Sequence, residues 1–282
     1  MSQPIWQTSR YQLDLTQPKV MGIVNLTPDS FSDGGRHSAL SVALESAQKM
    51  LAQGADILDI GGESSRPGAQ PVSVEEELNR ILPFLREALT WQVPISVDTY
   101  KPEVMQIALD LGVDVINDIW ALRQPGALQV VARHSQCGVC LMHMHLDPQT
   151  MMAQPMTGDV IASVKDFLGQ QVSQLMSCGV QGNRIVLDPG IGFGKSLPQN
   201  LSLIQHQAEL LSLGHPILAG WSRKGTLGRL SAIQGQSPLP HDRVGASLAA
   251  ALISVQNGAS VVRVHDVKET VQALRVWQAL KN

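Results

Sequence analysis

The sequence predicts a single closed (β/α)8 barrel over residues 1–282, with its core from about residue 19 to the end. Three observations predict it. Short apolar runs rich in Val and Ile recur eight times, segments with helical spacing lie between them, and no Pro/Ser-rich linker divides the chain. Eight strand–helix alternations with right-handed crossovers favour closure, and a doubly wound open sheet is the alternative.

The strand runs, in order, are "VMGIVN" from Val20, "DILDIG" from Asp56, "PISVDT" from Pro94 and "DVINDI" from Asp114. They continue with "GVCLMH" from Gly138, "RIVLDPG" from Arg184, "PILAGWS" from Pro216 and "VVRVHD" from Val261. Each reads as a buried parallel strand. Helical spacing marks residues 41–54, 73–89, 101–112 and 244–258 among the segments between them. Ser73 with Glu76 and Asp266 with Glu269 have capping-box spacing, and Gly54, Gly112 and Gly258 fall where a helix would stop. Long polar loops follow the first strand, "NLTPDSFSDGG" from Asn25, and the second, "GGESSRPGA" from Gly61.

Composition narrows the partners. Hydrophobic residues make up 44% and charged residues 16%, with a net charge of −3, so no cationic surface for nucleic acid or anionic lipid is expected. No apolar run reaches the ~20 residues of a membrane-spanning helix, and the first ten residues lack a signal-peptide core. A cytoplasmic protein acting on small molecules is the expectation. Three cysteines suit a reducing compartment; "CGVC" has dithiol spacing but leads into an apolar run, so Cys140 reads as a core residue.

Polar residues gather where the strands run out into the loops, the open mouth of such a barrel. They are Asn25, then Glu63, Ser64, Ser65 and Arg66, then Asp98, Asn117, Asp118, His143 and Asp188, then Ser222, Arg223 and Lys224, and finally Arg263 and His265. Taken singly, Asp98 could cap the helix near Pro102, Asp118 could cap its loop, and Asp188-Pro189-Gly190 could be a simple turn. Together they point to a site. Arg263 and His265 alternate in "VVRVHDV" and so share a face, where an anionic ligand is expected ahead of a structural ion pair. Arg66, Arg223 and Lys224 extend a cationic sector, and Asp98, Asn117 and Asp188 offer acceptors to a flat heterocycle rich in N–H donors.

In order and spacing, "VMGIVNLTPDSFSDGG", "GGESSRPGA", "VDT", "INDI", "MHM", "DPGIGFGK", "SRK" and "RVHDV" resemble the signatures of bacterial dihydropteroate synthases, from Lys19 to Val267. The resemblance implies a TIM barrel, a homodimer and a Mg²⁺ ion. It also implies condensation of 6-hydroxymethyl-7,8-dihydropterin diphosphate with 4-aminobenzoate, giving 7,8-dihydropteroate and pyrophosphate. Carried over residue by residue, it assigns Asp98, Asn117, Asp188 and Lys224 to the pterin, with Met142 and Phe193 in the same substrate-binding set. Asn25 falls to the metal, and Ser65, Arg66, Arg263 and His265 to the diphosphate. Phe31, Pro67 and Gly225 form the aminobenzoate subsite, and Asp33 holds the first loop closed, joining Arg66, Arg263 and His265 as the catalytic set.

Three positions depart from that pattern. Ser65 stands where threonine is common, His145 where glutamine is frequent, and Gly225 where serine is usual and is associated with the aminobenzoate carboxylate. Two other readings stay open: a pterin-binding methyltransferase domain, which leaves Phe31, Ser65, Arg66 and Pro67 without a role, and a non-catalytic pterin-binding barrel. Damage to the diphosphate set would mark the latter, and Arg66, Lys224, Arg263 and His265 are intact.

Overall fold

A computed structural model describes residues 4–27, 36–64, 66, 68–151 and 153–281. The chain opens with a hairpin, β1 (Ile5–Gln7) and β2 (Gln12–Asp14), and then alternates strand and helix. The first half runs β3 (Lys19–Asn25), α1 (Arg36–Ala52), β4 (Ile57–Gly61), α2 (Val74–Ala88), β5 (Ile95–Asp98), α3 (Pro102–Asp110), β6 (Val115–Asp118) and α4 (Ala127–Arg133). The second half runs β7 (Gly138–Met142), α5 (Val160–Ser177), β8 (Ile185–Asp188), α6 (Leu197–Gln205), β9 (Ile217–Ala219), α7 (Gly225–Leu230), α8 (Val244–Gln256), β10 (Ala259–Val264) and α9 (Val267–Lys281).

All eight expected runs are strands of one closed parallel barrel, because β10 pairs with β3 on one side and β9 on the other. The open sheet is thereby excluded. No helix among the described residues is long and apolar enough to cross a membrane.

Alternation along the strands builds the interior in layers. Met21, Ile57, Val115, Cys140, Val186, Leu218 and Val261 pack together without exposure in the lower barrel. Two residues further along the same strands stand Asp59, Asn117, Met142, Asp188 and Arg263. The interior therefore turns from apolar to polar within one inward step. The outer faces bury Leu58, Ile60 and Val97 on the α1–α3 side, and Val262 and Val264 against Ala251, Val255 and Leu274 of α8 and α9.

The helix signals divide. Ser73 Oγ accepts from Glu76 N at 3.1 Å to cap α2, and Gly54, Gly112 and Gly258 take φ of 100°, 99° and 93° just past α1, α3 and α8. Asp266 does otherwise. Its carboxylate takes the Arg223 guanidinium, with Nε at 3.1 Å, so the expected capping box at the start of α9 gives way to an ion pair.

The hairpin was not foreseen, since strands of three residues carry no readable periodicity. Trp6 is unexposed among the lowest interior residues and donates Nε1–H to Arg184 O at 2.9 Å. Arg10 holds Asp114 through Nη2 at 2.6 Å and reaches the Leu89 and Val93 carbonyls, tying the hairpin to the α2–β5 connection. The hairpin is thus the floor of the barrel. Trp6→Ala should cost about 3–5 kcal/mol in urea unfolding, the usual range for truncating a buried aromatic. A loss under about 1 kcal/mol, within the ordinary range for surface changes, would mean that the floor does not depend on Trp6.

Candidate active site at the barrel mouth

Strand register brings the acceptors side by side. Asp98 is the Cα partner of both Gly61 and Asn117, and Asp188 is the partner of Met142. Asn117 and Asp188 are buried, 4% and 7% exposed, and Asp98 is nearly so. At and just past the same strand ends Ile119, Met142, Met144, Met151 and Phe193 form one apolar cluster. A flat ring lying on that cluster would meet the acceptors at its edge.

One residue organises this set, and the sequence reading did not name it. Asp59 is fully buried in the middle of β4, where Oδ1 accepts from Ser96 Oγ at 2.6 Å. Its Oδ2 accepts from Asn117 Nδ2 at 3.1 Å and from Arg263 Nε at 2.6 Å. Since an ionised carboxylate only accepts, Asn117 must present its NH₂ to Asp59 and turn Oδ1 away from it. The readable signal was Asp59 between Leu58 and Ile60 in the buried run "DILDIG", matched by Arg263 between Val262 and Val264 in "VVRVHD".

Arg263 corrects an expectation. Its guanidinium bridges two carboxylates, Asp59 through Nε and Asp98 through Nη2 at 2.7 Å, so the structural ion pair that was set second is present. Burial works against its charge, but Asp59 and Asp98 raise its pKa above the ordinary value. Nη1 takes no part in either contact. Burial pushes Asp98 upward, and Arg263 opposes this.

His265 lies one residue past β10 and is not the cation that the alternation suggested. Burial, with Arg223 and Arg263 nearby, lowers its pKa to about 3. Ser222 Oγ accepts from the His265 backbone N–H at 3.1 Å, so its hydroxyl proton can turn to Nδ1, 3.0 Å away. That leaves Nε2–H as a neutral donor. Arg223, counted with the cations, is committed to Asp266.

Asp118 follows its bland reading, accepting from Trp120 N at 2.8 Å and Leu122 N at 2.7 Å. Asp98 does not cap α3, whose N-cap is Lys101. Asp188 serves both purposes: Oδ1 accepts Gly190 N–H at 2.7 Å in a tight turn, while the carboxylate faces Lys224, Arg263 and Lys195. Its pKa is raised by burial against the pull of those groups. Lys224 Nζ lies 4.0 Å over the Phe193 ring, and burial lowers its pKa to about 8. Glu63 is tied to Lys101 and accepts from the Tyr100 hydroxyl at 3.0 Å, beside a cavity of about 170 Å³ that Asp98 and Trp120 also line.

Asn25 ends β3, with Oδ1 3.8 Å from where a Cβ on Gly61 would lie. Arg66 is exposed, and its charge helps to hold His265 neutral, which places it in the Arg263–His265 sector. Gly225 opens α7, is exposed, and has open space where a side chain would start. Phe31, Asp33, Ser65 and Pro67 lie outside the described residues.

Comparison with known proteins agrees with this geometry. The model of the family described as "pterin binding enzyme" matches residues 21–265. A dihydropteroate synthase of Neisseria meningitidis serogroup B is 48% identical, with 99% of each chain covered. The Xanthomonas albilineans dihydropteroate synthase solved with 4-aminobenzoic acid superposes with a TM-score of 0.92 at 46% identity, covering 99% of each chain. A structure of the enzyme from the same organism in complex with 7,8-dihydropteroate gives 0.86 at 42%, covering 99% of this chain and 98% of that one. The chain belongs to the pterin binding enzyme family, among its dihydropteroate synthases.

Proposed function

We propose that the barrel mouth condenses 6-hydroxymethyl-7,8-dihydropterin diphosphate with 4-aminobenzoate, releasing pyrophosphate and forming 7,8-dihydropteroate. The observation that carries this is the junction of two sectors beside one apolar cluster. The buried acceptors Asn117 and Asp188 and the nearly buried Asp98 adjoin Lys224 and Arg263 beside the cluster that holds Ile119, Met142 and Phe193. A methyl-transferring pterin domain would need the acceptors but not the cationic side.

The pterin's ring N–H groups are donors, and the three acceptors meet them at its edge. As the bond from the methylene carbon to the diphosphate oxygen breaks, positive charge grows on the pterin, and Asp98 and Asp188 stabilise it. The departing pyrophosphate gathers negative charge near Arg263 Nη1, His265 Nε2–H and Arg66. The arylamine nitrogen attacks the methylene carbon and then loses its proton to solvent, so no strong general base is required.

Mg²⁺ fits this chemistry through Asn25, a single neutral oxygen donor beside a bare glycine, while Asp59 and Asp98 are already held by Arg263. Such a donor suits a hard ion that keeps waters and leans on a diphosphate. When bound, Mg²⁺ would neutralise diphosphate charge. Phe31, Pro67 and Gly225 are proposed to receive 4-aminobenzoate, with Ser65 on the diphosphate and Asp33 holding the first loop closed.

A homodimer is proposed as well. Exposed apolar side chains at Leu230, Ile233, Leu239, Ile253 and Val276, on and around α7–α9, support it. A cytoplasmic location suits three free cysteines.

The direct test is pyrophosphate release from the pterin diphosphate. Release should require both 4-aminobenzoate and Mg²⁺ and stop on chelation; release that ignores 4-aminobenzoate would reject the synthase reading. The alkaline limb of kcat/KM for the pterin diphosphate supplies a second check. Lys195 and Lys224, lowered by burial to about 7 and about 8, lose their charge beside Asp188 as pH rises, so activity should fall through this interval. Lys224→Arg, whose guanidinium stays charged, should move the upper part of that limb to higher pH. A limb identical in the variant would remove Lys224 from the site.

A further inference from the structure

The run "GFGKS" carries a lysine whose charge bears on Asp188 but which has no contact with substrate in the steps above. Lys195 is 4% exposed, and its Nζ lies 2.8 Å from His143 Nδ1, 2.8 Å from Gly190 O, 3.2 Å from Phe193 O and 3.3 Å from His143 O. Those partners are a ring nitrogen and three carbonyl oxygens. Burial, with Lys195 adjacent, lowers His143 to about 2, so its imidazole is neutral and Nδ1 accepts from the ammonium. Asp188 lies near enough to favour the charge, but no carboxylate hydrogen-bonds Nζ, and burial lowers the lysine to about 7, an expensive arrangement for a mere filler of space.

The carbonyls come from two separate segments, the end of β7 and the loop after β8. In that loop Gly190, Gly192 and Gly194 take φ of 69°, 81° and 70°. Gly190 is pressed so closely on β7 that a Cβ there would lie 1.8 Å from His143 O. Crowded carbonyls of this kind repel one another unless a donor sits among them. Lys195 is that donor, with three N–H groups for four acceptors.

The same short loop positions two parts of the site. Gly190 N–H fixes the Asp188 carboxylate at 2.7 Å, and Phe193 carries the Lys224 ammonium on its ring. We propose that Lys195 is a positioning residue for the heterocycle end of the site, stapling the β8 loop to β7 so that Asp188 and the Phe193–Lys224 stack face the pterin. This rests on the proposed synthase reading. It predicts an effect on one substrate and not the other, which a residue serving only the fold would not produce.

The experiment compares Lys195→Met, Lys195→Gln, Phe193→Leu and the Lys195→Met/Phe193→Leu pair with the wild-type full-length chain. It reads circular dichroism, KM for each substrate and kcat. Lys195→Met should keep a cooperative melt, raise KM for the pterin diphosphate by about tenfold or more, and change KM for 4-aminobenzoate by less than about twofold. Lys195→Gln, which keeps two N–H donors, should recover part of the loss. The double variant should fall within about twofold of the worse single variant, because both act through one loop.

An unchanged pterin KM, equal rises in both KM values, or fully multiplicative losses would overturn the assignment. Failure of both Lys195 variants to fold would overturn it too, by giving the lysine to the fold. A wild-type chain that releases no pyrophosphate would instead reject the proposed function. Calorimetric binding of the pterin diphosphate to wild type and Lys195→Met would then decide the role of Lys195.

Discussion

The mouth of this barrel depends on one buried carboxylate. Asp59 has no exposure, and a charge placed there must be paired and fully hydrogen-bonded to persist. Ser96, Asn117 and Arg263 meet that demand, and each stands on a different strand. Satisfying Asp59 therefore fixes the orientation of the Asn117 amide and the path of the Arg263 side chain. Arg263 then reaches Asp98, so a single interior charge sets three groups that line the site. Arg263→Ala would strand two carboxylates at once, and for that reason its effect on turnover would mix local disorder with lost diphosphate contact.

A second cluster complements the first across the mouth. Asp188 is held by Gly190 N–H and faces Lys224 and Lys195, both of which burial pushes toward neutrality. The two clusters meet over the apolar residues around Met142 and Phe193. The acceptors are thus preorganised by charges that are themselves already compensated, and substrate binding need not reorganise them. The lower barrel supplies the rigidity: below Asp59 the apolar residues Met21, Ile57, Val115, Cys140, Val186, Leu218 and Val261 pack together, with Trp6 underneath.

The barrel was legible because its strands are buried on both faces and therefore read as continuous apolar runs. All eight runs became strands, and Asp98, Asn117, Asp188, Lys224 and Arg263, at or near their ends, come together. Pairing was less legible. Whether Arg263 meets a ligand or a carboxylate depends on what lies across the barrel, and Asp59 is distant from it in sequence. The same holds for Arg223, which looked like a phosphate cation and is committed to Asp266, and for His265, which burial keeps neutral. Lys195 was visible within a motif, but its partners are carbonyls, and backbone geometry leaves no mark on a side-chain pattern.

Asp59, without lining the mouth itself, sets the geometry of the groups that do. Calorimetric titration of Asp59→Asn with the pterin diphosphate tests it most directly. The amide nearly preserves volume but adds a donor and removes the charge that holds Arg263 and the Asn117 amide. Affinity should fall by about 1.5–3 kcal/mol, roughly ten- to a hundredfold, while the barrel still melts cooperatively. A folded variant that binds with wild-type affinity would show that the acceptors and Arg263 are positioned without Asp59, and the account given for the mouth would be wrong.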